Sequence, residues 1–322
     1  MLPGKAALTI CFAHAAYQMK ATFDALGTGI ANFELRDREA LEARIGEADV
    51  LVISGLWHNG LIPLAGRLRF IQSIGSGTDQ FDTAALAARG IRLASAAGVN
   101  ARAVAEHAMA LILALARRLA EARDNQAKRV WRGMISDLTQ REDELGGKTL
   151  LVIGLGRIGG RLARLAKAFD MRVVAFRRDL AAGAGAADSA HALATLPEFL
   201  PSADYVVLTC PLTEETRGVI DARALALLPP GACLVNVARG PCVVEADLIA
   251  ELRSGRLGGA ALDCTDPEPP AADSPLWGMA NVLMTPHTAG ETRQYEANVI
   301  GILRENLDRL WRGEAALRNG VV

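Results

Sequence analysis

The chain has 322 residues, 22% of them charged, with 35 Lys+Arg against 36 Asp+Glu and a formal net charge of −1. That length exceeds one ordinary core, so two domains are expected, and so even a charge balance offers nothing to draw in nucleic acid or an anionic membrane. Aromatics are only 5%, too few for base-stacking platforms, and the longest helical apolar run, Ala108–Ala116, falls far short of the ~20 residues of a membrane span.

The N-terminus lacks a basic region followed by a long apolar core and a cleavage site. Ala7–Ala13 therefore reads as a first strand rather than a signal peptide. A strand–helix rhythm follows, with strands expected at Leu8–Phe12, Val50–Ser54, Phe70–Ile74 and Ile91–Ala94. The third of these ends in Gly75-Ser76-Gly77-Thr78-Asp79, which alone reads as a tight strand-to-helix connection. Such turns expose N–H groups that can hold a carboxylate. Asn100 is placed to cap a long helix whose buried stripe is Val104, Ala108, Leu111 and Leu115. This helix is expected to bridge the two domains. Glu121–Glu144, polar around Trp131, is either a solvated excursion or an arm that packs on a partner subunit.

The second unit starts at Lys148 and opens on the most informative stretch of the chain. Leu150–Ile153 is an apolar run fit for a buried strand, and it feeds Gly154, Gly156 and Gly159, spaced G-x-G-x-x-G. Ile158, Leu162, Leu165 and Phe169 then mark one helical face, and Val173–Phe176 reads as the next parallel strand. In such a βαβ unit the first glycine allows a sharp turn and the second lets N–H groups approach a pyrophosphate. The third packs helix on strand, and the helix N-terminus favours the negative charge. Because the strand, helix and second strand all accompany the glycines, dinucleotide binding is favoured over a plain glycine-rich turn.

Further strands are expected at Tyr205–Cys210, Cys233–Ala238, Ala260–Cys264 and Val282–Pro286, alternating with helices and loops as in a doubly wound parallel sheet. Ala181–Ala187 reads as a surface loop. The last helix, Tyr295–Arg312, is expected to return to the N-terminal unit. Cys11, Cys210, Cys233, Cys242 and Cys264 form no C-x-x-C pair. They read as buried thiols in a reducing cytoplasm, and no metal site is expected.

Strand ends on the C-terminal side of such a sheet are where chemistry gathers. Reading them gives Arg239 in Asn236–Gly240, Glu268 in Asp266–Pro269 and His287 in Thr285–His287. A nicotinamide enzyme acting on a hydroxy acid needs a cation for the carboxylate, a proton donor for the oxygen, and a group that tunes the donor. One Arg, one His and one Glu meet those needs. Each alone is more often a solvated or structural residue.

The chain resembles the D-isomer-specific 2-hydroxyacid dehydrogenase family. The resemblance rests on GLGRIGG at 154–160, NVARG at 236–240, ALD at 261–263, PEP at 267–269 and TPHTAG at 285–290. GSGTD at 75–79 and AEHAMAL at 105–111 also fit. It implies a Rossmann-type doubly wound cofactor domain over residues 101–287, and a flavodoxin-like α/β substrate domain built from residues 1–100 and 288–322.

By the same resemblance Arg239 binds the carboxylate and carbonyl of a 2-keto acid. His287 is the general acid–base, and Glu268 hydrogen-bonds it and raises its pKa. Asp263 holds the nicotinamide carboxamide, and Ser76 and Gly77 supply backbone donors to the substrate. The cofactor contacts are Gly154, Gly156, Arg157, Ile158, Gly159, Arg177, Arg178, Cys210, Pro211, Thr216, Val237, Ala238, Ala289 and Gly290. His58, beside Trp57, is expected at the substrate mouth, together with Leu56. His107 is assigned to helix packing or capping.

Arg177 departs from the common pattern. It stands 23 residues beyond Gly154 (177 − 154 = 23), where NAD-preferring members place an acidic residue for the ribose. With Arg178 beside it, NADP(H) is favoured over NAD(H). The other reading has Asp179 reaching the ribose past two solvated arginines. With no regulatory domain after the last helix, the larger phosphoglycerate dehydrogenases are disfavoured. The expected activity is hydride exchange between NAD(P)H and a small keto acid such as glyoxylate or hydroxypyruvate, in a cytoplasmic homodimer. The alternative is a dinucleotide-sensing binding protein like the C-terminal-binding-protein corepressors, which keep the same Arg, Glu and His.

Overall fold

The computed structural model describes residues 2–322. They form two compact units: the chain up to Asn100 with Thr292–Val322, and Ala101–Glu291. The second unit thus runs past His287 to Glu291, so the loop carrying His287 belongs wholly to it.

In chain order the first unit contributes β1 (Thr9–Ala13), α1 (Met19–Asp24), β2 (Ala31–Leu35), α2 (Arg38–Arg44), β3 (Val50–Ile53), β4 (Phe70–Ser73), α3 (Thr83–Ala88) and β5 (Arg92–Ala94). The second follows with α4 (Ala101–Ala116), α5 (Leu119–Ala127), β6 (Thr149–Ile153), α6 (Arg157–Ala168), β7 (Arg172–Phe176), β8 (Ser189–His191) and α7 (Leu196–Phe199). It continues with β9 (Tyr205–Leu208), α8 (Ala222–Leu227), β10 (Cys233–Asn236), α9 (Glu245–Arg253), β11 (Gly259–Leu262) and β12 (Val282–Met284). The last helix, α10 (Tyr295–Trp311), belongs to the first unit.

The first unit is a five-stranded parallel sheet, order β2-β1-β3-β4-β5. Residues alternate between its faces. Ile10, Phe12, Val50 and Val52 meet α10 through Val299, Ile302 and Leu303, while Cys11, Leu51 and Ile53 pack with Leu41 of α2 and Leu86 of α3. Two polar links fix α10 in place. The Tyr295 hydroxyl donates to the Ile74 carbonyl at 2.5 Å, and the buried Asn306 amide donates to Gln72 at 3.1 Å.

The second unit is a seven-stranded parallel sheet, order β12-β11-β10-β9-β6-β7-β8. Its strands alternate in the same way: Leu151, Ile153, Val206 and Leu208 face one core, Leu150, Val152 and Val207 the other. Near-continuous apolar strands are what burial on both faces requires. The strand order reverses between β6 and β9, so a crevice opens beyond their carboxyl ends, where ligands of such sheets bind. Among the described residues no helix is long and apolar enough to cross a membrane, and none of the cysteines is bridged.

Candidate active site

At the reversal point the glycine turn is dictated by contact. Gly154 has φ +107°, and a Cβ there would lie 2.7 Å from the Cys210 backbone. A Cβ at Gly159 would lie 2.2 Å from the Gly154 carbonyl, so α6 seats on β6 only without one. Gly156 differs: a Cβ there meets nothing within 4 Å. It caps α6 without a side chain, leaving the first amides of the helix open to an anion.

A cavity of about 280 Å³ adjoins this turn. Gly154, Gly156, Arg177, Arg178, Cys210 and Pro211 line it, as does Thr216. The Thr216 hydroxyl donates to the Pro211 carbonyl at 2.7 Å and accepts from the Thr213 amide at 2.8 Å, so it braces the loop that borders the cavity. Leu193 and Glu215 line the cavity too; no motif marked them. At its rim Arg177 donates to the Gly183 carbonyl at 2.9 Å, while its Nε is buried with no acceptor among the described residues. The Asp179 carboxylate is turned back to accept from the Ala181 amide at 3.1 Å. Arg157 is exposed, Ile158 packs partly into the core, and Val237, Ala238 and Ala289 are buried.

The loops after β10, β11 and β12 carry the other candidates. Asn236, 1% exposed, ends β10 by folding its side chain over the next residues. Its oxygen accepts from the Ala238 amide and its nitrogen donates to the Arg239 carbonyl, both at 3.0 Å. This turns Arg239 out to solvent, with Nη1 on the Ala238 carbonyl at 2.6 Å. A Cβ on Gly240 would lie 1.9 Å from the Thr265 carbonyl oxygen. The Arg239 loop therefore rests directly on the backbone that leads to Glu268.

His287 Nδ1 lies 2.6 Å from Glu268 Oε1, and both side chains are about half exposed. A carboxylate only accepts, so Nδ1 carries the hydrogen and Nε2 is left facing outward. His287 sits at φ +54°, a left-handed conformation that is uncommon for a non-glycine residue. Asp263, 2% exposed, holds the segment on either side of it. One oxygen accepts from the Thr285 hydroxyl at 2.6 Å and the Thr288 amide at 3.0 Å; the other accepts from the Ala289 amide at 3.0 Å. His107 enters from α4, its Nε2 3.0 Å from the Thr285 hydroxyl. The assignment of His107 to helix packing or capping is therefore corrected: its ring nitrogen engages the loop that carries His287.

In the first unit the amides of Ser76 and Gly77 have no acceptor among the described residues. Trp57 is 4% exposed and packs on Phe81 in that unit's core, its indole N–H on Asn59 at 3.0 Å. It is a core residue, contrary to its expected place at a substrate mouth. Leu56 packs partly against the same core. His58 pairs with Glu42 at 3.0 Å.

A doubly wound sheet with this glycine turn at its reversal point defines the class of dinucleotide-binding α/β folds. The family model described as the NAD-binding domain of D-isomer specific 2-hydroxyacid dehydrogenases matches residues 109–289, and the chain belongs to that family. It is 36% identical over 260 residues to D-3-phosphoglycerate dehydrogenase of Mycobacterium leprae, covering 80% of this chain and 48% of that one. It is 32% identical over 285 residues to a glyoxylate/hydroxypyruvate reductase of Arabidopsis thaliana, covering 87% and 85%. A solved D-isomer specific 2-hydroxyacid dehydrogenase family protein from Aeromonas salmonicida is similar at a TM-score of 0.83 and 30% identity, over 98% of this chain and 99% of that one. The chain spans about half the length of the phosphoglycerate dehydrogenases it matches.

Proposed function

We propose that the protein is a D-2-hydroxyacid dehydrogenase that works on a small 2-keto acid of the glyoxylate or hydroxypyruvate size, with NADP(H) as its preferred cofactor. The observation that carries this reading is the His287–Glu268 pair at 2.6 Å on a loop clamped by Asp263. With Nδ1 donating to Glu268, Nε2 of His287 holds or accepts the proton at the substrate oxygen. Glu268 fixes the ring's orientation and tautomer. Arg239 presents a planar fork that matches a carboxylate bidentately. The resident dinucleotide supplies or takes the hydride.

The glycine cradle fits a dinucleotide: Gly156 leaves open space where a pyrophosphate approaches, at the head of α6. Arg177 and Arg178 line the cavity beside the glycine turn, and the acceptor-less Nε of Arg177 supports an anion such as a 2′-phosphate there. Asp179 lines the same cavity and has one carboxylate oxygen engaged by the Ala181 amide, which leaves the other as the rival partner for a ribose. The working unit is proposed to be a homodimer.

The test is dinucleotide oxidation followed by absorbance with glyoxylate, hydroxypyruvate, pyruvate and phenylpyruvate, each with NADPH and with NADH. Reduction of at least one small keto acid, with higher kcat/KM for NADPH, is expected. No turnover with any of them would overturn the activity, and a preference for NADH would overturn the cofactor choice.

A further inference from the structure

We infer that His107 is a positioning residue for His287, acting through a partly buried donor chain that runs from α4 to the clamp on the catalytic loop. This rests on the reading of His287 as the proton donor.

The direction of the chain follows from what each group can do. The Thr285 hydroxyl lies 2.6 Å from Asp263 Oδ1, and a carboxylate only accepts, so the hydroxyl spends its one hydrogen there. Its oxygen must then accept from His107 Nε2 at 3.0 Å. His107 also stands 3.7 Å from Asp263 Oδ1 itself. The order is His107 N–H to Thr285 oxygen, Thr285 O–H to Asp263. Asp263 in turn takes the amides of Thr288 and Ala289 at 3.0 Å each.

His287 lies inside this loop, between Thr285 on one arm of the clamp and Thr288 on the other. Its φ of +54° costs energy that only the surrounding bonds repay. Successive polar links that end on the buried Asp263 strengthen one another. Removing the first donor leaves the Thr285 hydroxyl free to turn from Asp263, which loosens one arm of the clamp and lets His287 relax from its strained backbone. The partner of the substrate carboxylate is untouched, because Arg239 hangs from a different loop, held by Asn236. The consequence is a fall in kcat with little change in KM. A loss confined to packing would not be cured by a side chain that merely returns an N–H.

His107→Gln restores a donor at the distance of Nε2, His107→Phe keeps ring bulk without it, and Thr285→Val removes the acceptor. The kinetics use the keto acid and dinucleotide that the panel finds best, with melting temperatures measured alongside. His107→Phe and Thr285→Val are each expected to lower kcat about tenfold or more, since small misplacement of a reacting group is costly. KM for keto acid and dinucleotide should stay within about twofold, and the double variant should be no worse than either single one. His107→Gln should recover most of the loss. Should His107→Phe not fold, Thr285→Val and His107→Gln still decide the matter.

A readout free of turnover is the imidazole nitrogen spectrum of histidine-labelled protein. It should show a slowly exchanging Nε2–H for His107 that is lost in Thr285→Val. Unchanged kcat in Thr285→Val overturns the inference. So does a loss that His107→Gln fails to recover, or a raised dinucleotide KM with kcat intact. If the wild type reduces no keto acid, the functional reading falls instead, while the nitrogen spectrum still tests the donor chain.

Discussion

His287 and Arg239 meet different needs, and their removal should differ in kind. His287 offers one nitrogen, free because the other is committed to Glu268 at 2.6 Å. Loss of a general acid costs ~10²–10⁴ in rate, so His287→Ala should chiefly lower kcat. Arg239→Ala removes the partner of the substrate carboxylate and should raise KM steeply as well. Near-wild-type turnover in either would overturn the assignment.

The glycines separate by the same logic. Gly159→Ala forces a Cβ to within 2.2 Å of a backbone carbonyl, an overlap no side-chain rotation relieves. Overpacking of that sort costs about 1–3 kcal/mol or more. Gly156→Ala meets nothing within 4 Å and loses only some N-cap preference, at most about 1 kcal/mol. Thermal melts should therefore fall clearly for Gly159→Ala and little for Gly156→Ala, while Gly156→Ala raises the dinucleotide KM. A large melting loss in Gly156→Ala would contradict the open space seen there. Arg239, Glu268 and His287 were readable as candidates because each lies in a recognisable motif in the loop after a strand. His107 was not, since its partner Thr285 is 178 residues away and only the folding of α4 across β10 and β11 brings them together.

At the level of elements, the apolar runs marked the buried strands and the edge strands β5 and β12, and missed the other two edges. β2 and β8 are edge strands, partly covered, and their sequences ANFEL and SAH need no continuous apolar run. The same apolar signal overran the strand ends. Cys233–Ala238 stops pairing at Asn236, because the Asn236 side chain takes the Ala238 amide out of the ladder. Burial of the site loops thus looks like strand in the sequence, although their backbones have left the sheet. The end of β7 carries the cofactor prediction. Arg177 there is partly buried and only part of its guanidinium is engaged, by the Gly183 carbonyl. Arg177→Ala should reduce kcat/KM for NADPH and leave NADH nearly unchanged, narrowing the ratio. A ratio unmoved by the substitution would show that another group sets the preference.

For the molecule as a whole, the proposed homodimer rests on one stretch. α5 buries none of its residues, and the chain beyond it exposes Val130, Trp131, Met134 and Leu138, with Trp131 at 98%. Fully burying a large apolar side chain is worth ~1.5–3 kcal/mol, so a covering surface gains several such terms. A second copy of the chain is the economical cover. In a twofold dimer the same patch meets itself, and both copies bury Trp131 and Met134 through one contact. Sedimentation at micromolar concentration should give a dimer for the wild type. Trp131→Glu places a charge in that contact, which is costly to desolvate unpaired, and should shift the protein to monomer with little change in melting of each unit. The side chain has no intrachain packing to lose at that exposure, so a drop in mass without loss of fold isolates the interface. A wild type that sediments only as monomer, or a Trp131→Glu variant that remains dimeric, would place the subunit contact elsewhere or remove it.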